Sequence, residues 1–174
     1  MIIEGYKVLN KNKENSYGVV FEEKKDYYVD TTVRSIKFGN NGYGYHFTKR
    51  LEDGLRYFNG LKEDIFIAKV KSLGQTLESY DEYYGYYDLY VTDHIYIDHI
   101  LTRKEIIDYI INKPFMRIER LIQGYMLTKE EIDRIIEYNA NPHINMTINY
   151  YQLGQEDAYV KVKRNLANEK GIRY

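Results

Sequence analysis

The chain has no cysteine and no tryptophan, and only two prolines among its 174 residues. The missing thiols exclude structural disulfides and thiolate metal sites. No apolar run approaches the roughly 20 residues that span a bilayer, so a membrane protein is not expected. Charge of one sign is also missing: the net charge is −1, so no bulk attraction to nucleic acid is expected. Met1-Ile2-Ile3-Glu4 lacks the basic and then apolar regions of a signal peptide, and the expected location is cytoplasmic. The length suits one domain, or one with a small appendage, and a core that needs no staples. There is no Walker loop, nucleophile elbow or dinucleotide fingerprint.

What the chain does hold is tyrosine, 21 of them. Codon bias in an AT-rich genome accounts for much of that number. Tyrosine is also an amphipathic contact residue favoured at interfaces. Residues 71–100 concentrate it. They contain one basic residue, Lys71, six acidic ones (Glu78, Asp81, Glu82, Asp88, Asp93 and Asp98) and seven tyrosines. Carboxylates interleaved with phenols suit a basic groove on a partner. Asp81, Glu82, Tyr84, Tyr87 and Asp88 are the candidate binding residues. The same composition also fits a solvated loop with an edge strand kept soluble by charge.

Periodicity divides the chain near residue 100. Before it, Tyr6–Leu9, Tyr17–Phe21, Tyr27–Asp30, Asp64–Val70, Leu89–Asp93 and Ile95–Ile97 read as strands. Residues 35–41 read as a strand and loop. The stretch Gly42-Tyr43-Gly44-Tyr45-His46-Phe47-Thr48 alternates aromatic with small or polar side chains. It should bury Tyr43, Tyr45 and Phe47 and leave Gly44, His46 and Thr48 along a cleft. Thr48 then caps a helix over 49–58, whose inner face is Leu51, Leu55 and Phe58.

After residue 100 the pattern is helical. Thr102-Arg103-Lys104-Glu105 and Thr128-Lys129-Glu130-Glu131 are capping boxes. Leu101/Leu127, Ile106/Ile132 and Ile110/Ile136 hold equivalent places behind them, as in a short helical repeat. A further helix is expected over 115–123, ended by Gly124. Ile144–Tyr151 reads as a weak strand and 156–168 as a terminal helix. Residues 101–154 carry seven basic and seven acidic residues, which disfavours a basic recognition surface or a helix-turn-helix reading, and direct nucleic-acid binding is not expected. The fold class is therefore α+β: a mixed, mostly antiparallel sheet with one main helix over 1–100, then a helical part over 101–174.

His46 is the candidate proton-transfer or substrate-contact residue of the cleft, although a structural hydrogen bond would explain it equally well. His94 and His99 stand beside Asp93 and Asp98. Their odd separation puts them on opposite faces of a strand, and no metal site is expected.

Gly44-Tyr45-His46-Phe47, Arg56-Tyr57-Phe58, Ala68-Lys69-Val70-Lys71-Ser72-Leu73-Gly74 and Tyr90-Val91-Thr92-Asp93 together resemble an uncharacterised domain of phage and bacterial proteins. That resemblance covers over half the chain and implies a phage or mobile-element origin. A more distant likeness is to the ADP-ribosyltransferase fold, through Gly44 to Tyr57 and Asp88 to Asp93. It implies NAD as cofactor and a site at Lys7, His46 and Asp88. Lys7 stands where that family has Arg or His, His46 where it has Tyr, and Asp88 where it has the catalytic Glu. The leading reading is an accessory protein that binds and inhibits a host protein or nucleoprotein, in the manner of anti-CRISPR proteins, with no cofactor. The other is an NAD-dependent ADP-ribosyltransferase.

Overall fold

The computed structural model describes residues 1–15, 17–38, 42–55, 65–80, 88–113, 119, 121–123, 125–138 and 142–152, with Tyr80, Asp88, Asn149 and Tyr151 described by their backbones alone. The described residues form two compact units, one from Met1 to Leu55 and Ile65 to Thr102, the other from Arg103 to Gln152. No helix among them is long and apolar enough to cross a membrane. The chain is α+β, as its periodicities indicate.

The first unit holds seven strands and one short helix: β1 (Ile3–Leu9), β2 (Lys25–Tyr28), β3 (Tyr45–Thr48), α1 (Leu51–Gly54), β4 (Phe66–Ser72), β5 (Thr76–Tyr80), β6 (Asp88–Thr92) and β7 (His94–Ile100). They form one sheet in the order β2-β7-β4-β1-β3-β6-β5. Every pairing is antiparallel, so the expected mixed character is corrected to a wholly antiparallel sheet.

The connections show how the sheet curls. Asp93 alone separates β6 from β7, yet these strands lie at opposite ends of the order. Leu73, Gly74 and Gln75 alone separate β4 from β5, which are likewise far apart in it. Both pairs are therefore single bent strands, and together they make one long hairpin. Its lower half pairs Ser72 with Ile95, and its upper half pairs Thr76 with Thr92. Because β1 pairs with both β4 and β3, and β3 with β6, the strands close a ring around the core. Leu9, Phe21, Tyr45, Phe47, Val70, Tyr90, Ile95 and Ile97 fill that ring. Alternation along the strands supplies all of these but Phe21, since successive strand residues face opposite sides. The outer face of the same strands carries Glu4, Lys69, Lys71 and Asp98 in a chain of ion pairs.

Three elements differ from the periodicity. Tyr17–Phe21 is not a strand but part of a compact loop, joined to the preceding residues by the single bridge Glu14↔Val20. The side-chain oxygens of Asn10 and Asn15 take the backbone N–H groups of Asn12, Glu14, Tyr17 and Val19. Such local bonds substitute for a ladder. Thr76–Tyr80 is a strand that its weakly apolar sequence did not announce. Ile144–Tyr151 lies inside a helix.

The second unit contains α2 (Arg103–Ile111), α3 (Lys129–Tyr138) and α4 (Pro142–Gln152), with Leu121–Gln123 also helical. The Thr128 capping box is closed in both directions: Glu131 N–H donates to Thr128 Oγ1, and Thr128 N–H to Glu131 Oε2. Arg103 crosses from α2 to the same Glu131 and to the carbonyl of Met126. Asp108 on α2 holds Arg134 of α3. Pro142 occupies the first turn of α4, where its missing N–H costs nothing. Ile144, Thr147 and Ile148 are buried at helical spacing, which is the period the weak alternation concealed. The Gln152 side chain bonds Ile122 O, Tyr125 O and Leu127 N and so fixes the turn before α3. The expected helix over 156–168 lies outside the described residues.

Candidate functional site

The two regions singled out by sequence, the glycine-aromatic strand and the acidic tyrosine segment, lie on β3 and on the β5–β6 end of the long hairpin.

Tyr45 and Phe47 are buried, as the alternation requires, and Tyr43 is half-buried, its hydroxyl donating to Asp30 O. Gly44 enters β3 at φ +111°, and a Cβ there would stand 2.8 Å from Val91 Cγ2 and 2.9 Å from Thr92 O. The glycine is thus required both by its backbone angle and by the close approach of β6. Thr48 does not line a cleft. It is buried, and its hydroxyl donates to Arg50 O at 2.7 Å. Arg50, not Thr48, is the N-cap, and it makes no side-chain cap bond. Helix α1 lies so close against β1 that a Cβ on Gly54 would stand 2.7 Å from Val8 Cγ2. Residues 56–58 of the expected helix lie outside the described residues.

His46 is half-buried on the face opposite Tyr45 and Phe47, with the Phe38 ring edge-on at 5.7 Å. Burial, and then the Lys7 charge, hold its pKa below the ordinary histidine value. The imidazole is therefore neutral at pH 7 and can accept or donate one proton.

Lys7 belongs to the inner row of β1 with Gly5 and Leu9. Its ammonium is buried, 2.7 Å from the backbone carbonyl of His46 and 5.5 Å from the centre of the Phe21 ring. Desolvation lowers its pKa to about 8. Lys7 and His46 are thus adjacent through the backbone while their side chains take opposite faces.

Asp88 begins β6, paired with Tyr80. His46 pairs with Val91, three residues further along β6, or roughly 10 Å at the strand rise. The three residues of the ADP-ribosyltransferase likeness therefore sit on three strands but do not share one face at one level.

Two carboxylates of α1 were not singled out by sequence. Glu52 and Asp53 are buried, and the Glu52 charge, after burial itself, raises the Tyr6 pKa. On an ordinary amphipathic helix both would face water. Gly54 directly after them was the available signal that the helix lies flush against a strand.

In the acidic segment, β5 is the outermost strand of the sheet and pairs only with β6 among the described residues. Tyr90 is buried, stacked on Phe47 with centroids 5.3 Å apart, and its hydroxyl donates to Glu78 Oε1 at 2.9 Å. Thr76 and Thr92 hydroxyls meet at 3.2 Å across the same pair of strands. The ribbon is thus anchored in the core, with Glu78 and Leu77 exposed on it. Asp81, Glu82, Tyr84 and Tyr87 lie outside the described residues.

His94 and His99 each have their own aspartate. His94 Nε2 is 2.7 Å from Asp26, and His99 Nδ1 is 3.0 Å from Asp98. Among the described residues no three metal-ligating side chains come together.

Comparison with protein-family models, with curated proteins and with solved structures finds no match for this chain.

Proposed function

We propose that this chain is a phage-type accessory protein that works by binding. It would hold a basic surface of a host protein or nucleoprotein against residues 80–93, in a counter-defence role of the anti-CRISPR kind and in the host cytoplasm. The observation that carries the reading is the core-anchored β5–β6 ribbon. Its strands end at Tyr80 and Asp88, so it brackets the densest run of carboxylates and phenols in the chain. A core-anchored ribbon with one sign of charge suits electrostatic steering of an oppositely charged partner.

The test uses a partner captured from bacterial lysate, identified by mass spectrometry and purified. Reversing Asp81, Glu82 and Asp88 to lysine is expected to slow its association about tenfold or more, within the range steering provides, and to flatten the dependence of that rate on salt. Dissociation should change little. Unchanged association kinetics, with the fold intact by circular dichroism, would return the segment to a merely solubilising role. In cells, the same variant should lose the protection that the wild-type chain gives a phage against nuclease-based immunity.

The second reading is an ADP-ribosyltransferase using NAD. The neutral imidazole of His46 and the neighbouring buried amine of Lys7 favour it. Against it stand the opposite faces of those side chains and the level of Asp88, since such chemistry fails on misplacements of about 1 Å. No transfer of label from NAD to protein or RNA is expected above background. Transfer that Asp88→Ala abolishes would install the enzyme reading instead.

A further inference from the structure

The register of the long hairpin fixes which backbone groups of β5 are left over. The Asp93 N–H donates to Gln75 O, so Gln75 and Asp93 are a hydrogen-bonded pair of the antiparallel ladder. Bonded and non-bonded pairs alternate in such a ladder. With Leu77 opposite Val91 and Ser79 opposite Leu89, those two pairs are the bonded ones. Thr76, Glu78 and Tyr80 are therefore the non-bonded residues, whose N–H and C=O groups point away from β6. The side chains agree: Thr76 with Thr92 and Glu78 with Tyr90 make the close cross-strand contacts typical of non-bonded pairs. Among the described residues nothing pairs with this outer edge.

Resting on the binding function proposed above, we propose that the outer edge of β5 takes up an extended segment of the partner as an added strand, one that alternates Lys or Arg with aliphatic residues. Backbone pairing to Thr76, Glu78 and Tyr80 supplies the affinity, and side chains on the two faces supply the choice of sequence. On one face Glu78 meets a cation directly across. On the other, Leu77, 36% exposed, meets an aliphatic side chain. Charge selects against the rival occupant, a second copy of this chain. Antiparallel self-pairing centred on β5 sets Glu78 against its own copy, and like charges placed opposite one another destabilise a sheet. The only basic residue in 71–100 is Lys71, so nothing in the segment offsets that repulsion.

The probe is a blocked peptide of about seven residues alternating valine and lysine, long enough for one strand. It is titrated into the full-length protein at low salt and followed by amide NMR and hydrogen exchange. Exchange at Thr76, Glu78 and Tyr80 is expected to slow about tenfold or more on saturation, and the outer edge alone should respond. A peptide with glutamate in place of lysine, and one N-methylated on alternate amides, should not bind. Thr76→Pro removes one outward N–H and the Thr76 hydroxyl contact to Thr92 while leaving every carboxylate and every backbone bond to β6 in place, and proline is tolerated at such an edge position. It should weaken the peptide about tenfold. Glu78→Gln, which keeps the backbone, should weaken it less and should mainly lose the salt dependence.

Equal binding by Thr76→Pro, or unchanged exchange at the edge, overturns strand addition and leaves Glu78 as an edge-protecting charge. A concentration-dependent dimer that Thr76→Pro dissolves overturns it in favour of a second copy. If the peptide fails while the Asp81/Glu82/Asp88 reversal still slows the captured partner, only the docking mode is lost. If both fail, the binding function falls with it.

Discussion

Phe21→Ala is expected to destabilise the first unit by about 3–5 kcal/mol, the usual cost of truncating a fully buried phenylalanine. Phe21 is wholly inaccessible to solvent though it lies in no strand. Its ring sits 4.7 Å from Tyr27 and 6.0 Å, edge-on, from Tyr45, and aromatic pairs of this kind add about 0.5–1.5 kcal/mol beyond area burial. The loop that carries it is pinned by Phe21 N–H to Lys13 O and by the side chains of Asn10 and Asn15. It therefore cannot easily collapse into the space left behind. Against a total stability of about 5–15 kcal/mol, that is a large share of the margin. Urea unfolding followed by near-ultraviolet tyrosine dichroism should show the midpoint fall sharply, with Phe21→Leu about halfway. A loss below about 1 kcal/mol would mean that the loop repacks and that Phe21 is not the plug of the ring.

The sequence carried the core strands because they obey a period of two with long aliphatic runs. Ile65 to Val70 and Leu89 to Ile97 could hardly be anything else. It did not carry β5, because Thr76-Leu77-Glu78-Ser79-Tyr80 has only one exposed aliphatic and borrows its order from β6 through Tyr90 and Thr92. It also misassigned Phe21 to a strand. Val19 and Phe21 still turn inward, but by a different backbone, since the two asparagine side chains satisfy the donors a ladder would have used. In α4 the reverse occurred. Ile144 and Ile148 mark a helical face, but the intervening polar residues mimicked alternation.

For the candidate site, the alternation placed His46 on the face away from the aromatics. It could not show that Lys7 points inward, because a lysine at an inner position contradicts the usual pattern. Nor could it place Glu52 and Asp53 in the interior. Charged residues buried against the period are legible only from the tertiary packing that encloses them. What composition did reveal, the excess of acid and phenol in 71–100, turns out to attach to an outermost strand. The register leaves the N–H and C=O groups of Thr76, Glu78 and Tyr80 pointing away from β6, a geometry that no residue count contains.

Lys7→Met is expected to stabilise the protein at pH 7, by about 1–3 kcal/mol, and to change how stability depends on pH. The folded-state pKa of Lys7 is about 8, against about 10.4 for a free lysine. At about 1.4 kcal/mol per tenfold change in proton affinity, burial of the charge corresponds to about 3 kcal/mol of lost stability while the amine is protonated in both states. The hydrogen bond to His46 O returns part of this only in the wild type, and its loss in the variant costs about 1 kcal/mol or more. The sign follows from proton uptake. Between pH 8 and 10 the unfolded chain binds more protons than the folded one, so wild-type stability rises with pH across that window. Below pH 8 the full penalty remains. Above about pH 10 the trend reverses, because burial raises the pKa values of Tyr6 and Tyr45 and the folded state then holds the additional protons. Methionine, close to lysine in length and apolar, removes the rise between pH 8 and 10 and leaves the fall above it. Urea midpoints for both proteins at pH 7, 9 and 10.5 would show this. A variant less stable than wild type at pH 7, with the rise between pH 8 and 10 still present, would show that the ammonium–carbonyl bond outweighs desolvation and that another group titrates in that window.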